Sequence, residues 1–207
     1  MVGRTVSRPL VGIVPILLAA PVLLVAGWAL LIANIGRGAN DTWAVGHLIL
    51  FVANAFWIPT ALIMLARAGR RAPDRWSVIT LGLVIAGSLA IAGQLAVDLV
   101  AWVTTDDAAG LSSLFEAMRS RPVLLLLFYV GGPPLLFLGV VLASVGLSRA
   151  RPEFRPWTEV VVAGLIIVLA GALATFSYMI LAGYVTALVG FVGISRTMTR
   201  PADRNDS

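Results

Sequence analysis

Apolar runs of membrane-spanning length, separated by short polar connections, recur along this chain of 207 residues. The first covers residues 10–35, with Pro15 and Pro21 inside it and Trp28 towards its far end. It exceeds the apolar core of a secretion signal, about 7–15 residues, and no small-residue cleavage pattern follows it, so it reads as an uncleaved helix. Runs at 43–66, 77–103 and 122–147 come next, each reaching the roughly 20 apolar residues that cross a bilayer as helix. From Thr158 to Ile194 no charge follows Glu159. At 1.5 Å per residue that stretch is about 55 Å of helix, nearly twice a hydrocarbon core of about 30 Å. It predicts two spans, 158–175 and 178–195, joined by a tight hairpin near Thr175-Phe176-Ser177-Tyr178. The pattern therefore predicts an all-α integral membrane protein, a six-transmembrane-helix bundle in one domain over residues 10–195, with a polar segment 1–9 before it and a disordered tail 196–207 after it.

The connections carry the charge. Arg4 and Arg8, the loop Arg67-Ala68-Gly69-Arg70-Arg71-Ala72-Pro73-Asp74-Arg75, the loop with Arg149, Arg151 and Arg155, and the tail with Arg196 and Arg204 fall on one side if there are six spans. The positive-inside rule makes that side the cytoplasm, with both termini cytoplasmic. Asp41, Asp106, Asp107 and Glu116, against Arg37, Arg119 and Arg121, fall on the other. In the longest connection, 104–121, Ser113 and Glu116 have capping-box spacing, and Leu111, Leu114, Phe115 and Met118 recur at helical intervals. That predicts either a short amphipathic helix lying on the membrane or a surface loop with one helical turn.

Composition sharpens the class. Hydrophobic residues make up 59% of the chain and charged ones only 12%, against about a quarter charged in a soluble domain. There is no cysteine, which removes disulfides, thiolate metal sites, iron–sulfur clusters and cysteine nucleophiles. No lysine is present either, so all fifteen basic residues are arginine and Schiff-base chemistry has no amine to use. Arginine, alanine, glycine and proline have GC-rich codons, which points to a bacterial inner membrane. The net charge of +5 sits beside the spans and is explained by orientation, not by nucleic acid.

Two internal patterns bear on architecture. Leu48-Ile49-Leu50-Phe51 resembles Leu125-Leu126-Leu127-Phe128, and Pro73, Asp74, Arg75 and Trp76 resemble Pro152, Glu153, Arg155 and Trp157 in order. Spans two–three and four–five read either as parallel repeats or as chance similarity between alanine- and leucine-rich helices. Gly82, Ala86 and Ala90, then Ala170 and Ala174, then Ala182, Thr186 and Gly190 form small-residue ladders that predict close helix packing, within the chain or with a homo-oligomeric or other membrane partner.

Candidate chemistry gathers towards one end of the spans. His47 lies one turn below Trp43 and Asp98 one turn below Trp102, about 6 Å inside each interfacial tryptophan. Asn54 follows His47 on the same helix face, Gln94 precedes Asp98 on one face, and Tyr129 enters span four at a similar depth. The group reads as an outward-facing polar pocket in which His47 relays protons or binds a ligand, as a polar clamp between helices, or as side chains reaching the headgroups. Gly131, Gly132, Pro133 and Pro134 predict a kink or break in span four, because two prolines remove two backbone donors. In the repeat alignment this falls opposite Asn54-Ala55-Phe56-Trp57, and paired helix interruptions point to a transporter substrate site. Glu159 beside Arg155 predicts an interfacial ion pair.

One histidine and one aspartate lack a third metal ligand, and one histidine supplies at most one haem ligand, so no metal or cofactor is expected. No hydrolase, nucleotide-loop, metalloprotease or kinase motif is present. The expectation is a multi-pass bilayer protein without independent enzyme activity, acting as an accessory, packing or sensing component. The alternative is a small transporter or proton-coupled carrier that uses His47 and Asp98.

Overall fold

The computed structural model describes residues 12–38, 40–69, 74–105 and 108–199, and their side chains except at positions 108, 109, 111, 119 and 129. The polar segment 1–9, Arg70 to Pro73, Asp106, Asp107 and the tail from Arg200 lie outside the described residues.

Six helical stretches are long and apolar enough to cross a membrane: Ile13–Ala33, Asp41–Arg67, Arg75–Thr104, Pro122–Ala150, Pro152–Leu173 and Ser177–Thr199. The expected all-α six-span bundle is what the chain forms. Large apolar side chains remain exposed on the spans, among them Leu89, Val103, Ile166 and Leu173. Water would penalise such a surface, whereas lipid solvates it.

Span one is α1 (Ile13–Ala33). Span two divides into α2 (Asp41–Ala55) and α3 (Trp57–Arg67). Pro59 explains the division, since its missing N–H deprives the Ala55 carbonyl of its helical partner and its ring crowds that turn. Span three is α4 (Arg75–Thr104), and α5 (Ala108–Arg119) follows as a short helix in the long connection. The Ser113–Glu116 spacing does not cap α5: Ser113 lies within it, and its hydroxyl donates to the Gly110 carbonyl at 2.8 Å.

Span four starts with the turn α6 (Pro122–Leu124), passes through a π-helical segment, Leu125–Gly131, and continues as α7 (Gly132–Ala150). The chain does not separate at the two prolines. They stand in the first turn of α7, where missing donors cost least, and the wider turn before them relieves the clash with the preceding carbonyls. Gly131 belongs there because a Cβ would lie 2.9 Å from the Leu126 carbonyl oxygen that the wide turn brings close.

After a 3₁₀ turn, Pro152–Phe154, the last hairpin is α8 (Arg155–Leu173) and α9 (Ser177–Thr199). Thr175 takes a left-handed conformation (φ 53°) at the turn, and the Phe176 N–H donates to the Gly171 carbonyl at 2.8 Å. Side chains start two of the helices. The Asn40 side-chain oxygen accepts from Trp43 N–H at 3.1 Å, and Asp74 accepts from Ser77 N–H at 2.7 Å, which occupies donors that a helix start leaves free. The Arg155–Glu159 pair is present at 2.8 Å on the exposed first turn of α8.

Each span packs on the next along the chain, and α9 packs back on α1, so the spans close a ring. The second half of span two, α3, touches α1, α4 and α7. Its Trp57, Ala61 and Met64 are buried, and Trp57 meets Phe191 of α9 with ring centroids 5.7 Å apart. Thus α3 fills the ring at one end. The other end is less filled, and His47, Asn54, Gln94 and Asp98 lie there.

The small-residue ladders need correction. Of the first ladder Ala90 is buried beside Gly132 of α7, but Gly82 and Ala86 are exposed and Gly82 has nothing near it, whereas Gly87 packs so closely that a Cβ would come 2.3 Å from Leu136 N. In the last hairpin Gly190 packs as expected, a Cβ there coming 2.8 Å from the Trp157 carbonyl oxygen, whereas Ala174 and Ala182 are exposed and Gly164 and Gly183 make the other backbone approaches. Several lines of small residues run along these helices, and composition does not say which one meets the neighbour.

Candidate functional site

The uncapped half of the ring encloses a cavity of about 320 Å³ between α1, α2, α4, α7, α8 and α9, with Trp57 of α3 among its walls. His47, Asn54, Gln94 and Asp98 all line it, so four of the residues selected from the sequence stand around one space. The backbone of Tyr129 lies in the π-helical segment, and its side chain is outside the described residues. Pro133 also lines the cavity, two residues past the wide turn. Among the lining residues, only Ala172, on the last turns of α8, is classed as exposed.

The local sequence places His47 on the second turn of α2, facing α4. Its Nδ1 lies 2.9 Å from the Trp43 carbonyl oxygen. A carbonyl only accepts, so Nδ1 carries the hydrogen. The other ring nitrogen, Nε2, faces Asp98 Oδ2 at 3.5 Å, and both side chains are buried. A neutral imidazole with its hydrogen on Nδ1 would set a lone pair against an ionised carboxylate. One proton between the two resolves this, either on the imidazole, making an ion pair, or on the carboxyl, which then donates to Nε2. A proton held between the two would leave the pair neutral in either form. Trp43 covers the imidazole from the bundle end, with ring centroids 3.9 Å apart.

Asn54 stands two turns further along α2. Its amide nitrogen donates to the Ser88 carbonyl of α4 at 2.6 Å. Since that carbonyl can only accept, the assignment of nitrogen and oxygen in Asn54 follows. The Asn54 Oδ1 is buried without a partner among the described residues. An unmet buried acceptor costs about 1–3 kcal/mol. Gln94, one turn before Asp98, is half-buried.

The remaining walls are apolar or aromatic: Leu50 and Leu95 beside the pair, Leu136 and Phe137 from α7, and Trp28 and Tyr184 across from them. Trp28 and Tyr184 lie with ring centroids 6.3 Å apart. The sequence reading did not group Trp28, Trp57 or Tyr184 with the polar cluster. The signal was available for two of them, because Trp28 lies near the end of α1 and Tyr184 near the start of α9, at depths that match His47. Trp57 required knowledge of the turn at Phe56. Among the described residues, no three histidine, aspartate or glutamate side chains come together in a metal-binding group.

Such a site can take an organic molecule of modest size. Pockets of about 300–1,000 Å³ with apolar walls and a few convergent polar groups are the usual form of small-molecule sites. Comparison with protein-family models, with curated proteins and with solved structures finds no match for the chain.

Proposed function

We propose that this multi-pass membrane protein is an accessory or sensing component that binds a small, largely apolar molecule in the cavity between its helices. The observation that carries this reading is the convergence of His47, Asn54, Gln94 and Asp98 on one partly enclosed space whose other walls are apolar and aromatic. The proton shared by His47 and Asp98 gives the site a means of linking occupancy to proton uptake or release.

The arginines support an orientation with both termini in the cytoplasm. Arg67, Arg75, Arg149, Arg155 and Arg196 all flank helix ends at one end of the bundle. The cavity then lies in the outer half of a bacterial inner membrane.

A second reading, a proton-coupled carrier built on a repeat of spans two–three and four–five, is favoured by the two irregular helices. Span two turns at Phe56 and span four carries its π-helical segment before Pro133. The repeat pairs the two regions, and Asn54 and Trp57 beside the turn and Pro133 after the wide segment line the cavity.

The test is thermal unfolding of the purified chain in detergent with 2-phenylethanol, a small aromatic alcohol. The expected result is a dose-dependent rise in Tm. Ala172→Trp, which fills the cavity without touching the polar wall, abolishes the rise. The absence of any rise in the unaltered chain, with this alcohol and with the corresponding amine and carboxylate alike, removes the ligand-site reading.

A further inference from the structure

We propose that the molecule taken by this cavity is a small protonated amine with an apolar body, and that its ammonium group replaces the proton held between His47 and Asp98. The proposal rests on the reading of the cavity as a ligand site and adds the ligand's chemical class and the ion exchanged for it.

Three observations choose the class. First, the charge lining the cavity favours a cation. Among the described residues, its titratable lining groups are His47, Asp98 and Tyr184, from α2, α4 and α9, and no arginine is part of the lining. The imidazole cannot serve an anion well, because Nδ1 is engaged by the Trp43 carbonyl and Nε2 faces a carboxylate. Second, two donors of the polar wall are already committed, His47 Nδ1 to the Trp43 carbonyl and the Asn54 amide nitrogen to the Ser88 carbonyl, which leaves the Asp98 carboxylate and the Gln94 amide on the lining. The Asn54 Oδ1 is buried and without a partner among the described residues, while the amide nitrogen of the same side chain is committed to Ser88. A ligand that brings N–H groups matches this wall, and one that brings a carboxylate does not. Third, Trp28, Trp57 and Tyr184 supply aromatic surface on the walls, which suits both an apolar body and a cationic head.

The exchange follows from charge balance. Before binding, the His47–Asp98 pair holds one shared proton and is neutral. Adding an ammonium ion to that state would leave a net positive charge inside the membrane, which is expensive. If the ammonium pairs with the Asp98 carboxylate and the shared proton departs to water, His47 remains a neutral imidazole with its hydrogen on Nδ1. The cavity is then neutral again. No covalent bond between heavy atoms forms or breaks, and one proton leaves for each cation bound. At about 30 Å³ for each water-sized group, a cavity of about 320 Å³ holds on the order of ten non-hydrogen atoms, the size of a short arylalkylamine.

Isothermal calorimetry on the full chain in detergent tests this near pH 7, in two buffers of different protonation enthalpy. The probes are 2-phenylethylammonium, 2-phenylethanol and 3-phenylpropionate. The ammonium is expected to bind about tenfold or more tighter than the alcohol, with about one proton released, and the carboxylate is expected not to bind. Asp98→Asn should lower ammonium affinity at least about tenfold and remove the proton release, while alcohol affinity stays within about threefold. The wild-type proton count and probe order decide the matter by themselves if that variant does not fold. Binding of the carboxylate as tight as that of the ammonium, or ammonium binding without proton release, overturns the proposal. Binding of the alcohol alone overturns the amine class and leaves the ligand site standing. If no probe binds, both readings fall.

Discussion

His47 and Asp98 illustrate how two ionisable side chains are tolerated within apolar helices. Their ring nitrogen and carboxylate oxygen are 3.5 Å apart, close enough that neither is left as an isolated charge. Bonds of this kind between membrane helices are worth about 0.6 kcal/mol on average and at most about 1.7 kcal/mol. A double-mutant cycle of His47→Ala and Asp98→Asn, measured by unfolding in detergent, should give a coupling energy in that range. A coupling above about 3 kcal/mol would mark a structural clamp. Asn54 should behave differently. Asn54→Leu removes the bond to the Ser88 carbonyl but also the unmet Oδ1, and the two effects offset each other. Stability should change by less than about 1 kcal/mol, and ligand affinity should fall. Residue types and helical depth were enough to bring His47 and Asp98 together from the sequence. The Asn54–Ser88 link was not legible, because its acceptor is a backbone carbonyl that every residue possesses.

At the scale of the helix, proline was informative and small residues misled. Pro59 turns span two at Phe56, and Pro133 and Pro134 widen the turn before them. The physics is local: a missing donor and a ring clash act within four residues. Close helix packing is not local. Gly82 and Gly87 are alike in sequence terms, yet Gly82 is exposed and Gly87 lies against the backbone of Leu136. Gly82→Ala should therefore be neutral or stabilising by up to about 1 kcal/mol, through helix propensity. Gly87→Ala should destabilise by about 1–3 kcal/mol, because a Cβ there forces the two helices apart. Thermal or denaturant unfolding of the two variants in detergent checks the contrast. Equal effects would mean that α4 and α7 do not meet as described.

At the scale of the molecule, six spans close a ring, and α3 fills one end of it. The cavity is what remains at the other end. Its position relative to the two sides of the membrane depends on orientation, and the lack of native cysteine makes that measurable. Single cysteines at Gly38→Cys and Ser148→Cys lie in or beside connections at opposite ends of the bundle. With both termini cytoplasmic, a membrane-impermeant thiol reagent added outside intact cells should label position 38 and leave position 148 unlabelled. The reverse pattern would place the cavity on the cytoplasmic side.

By itself the amino-acid sequence determined that the chain is helical, that six of its helices are long and apolar enough to cross a membrane, and which few polar side chains lie within them. These follow from local quantities: the length of an apolar run against the thickness of a bilayer, and the conformations that proline forbids. The tertiary structure alone decided which faces of the helices meet, that α3 fills the ring, and that Trp28, Trp57 and Tyr184 complete the walls around His47 and Asp98. In a chain whose surface and interior are equally apolar, hydrophobicity does not distinguish the face turned to lipid from the face turned to a neighbouring helix. Steric fit between helices distant in sequence makes that choice.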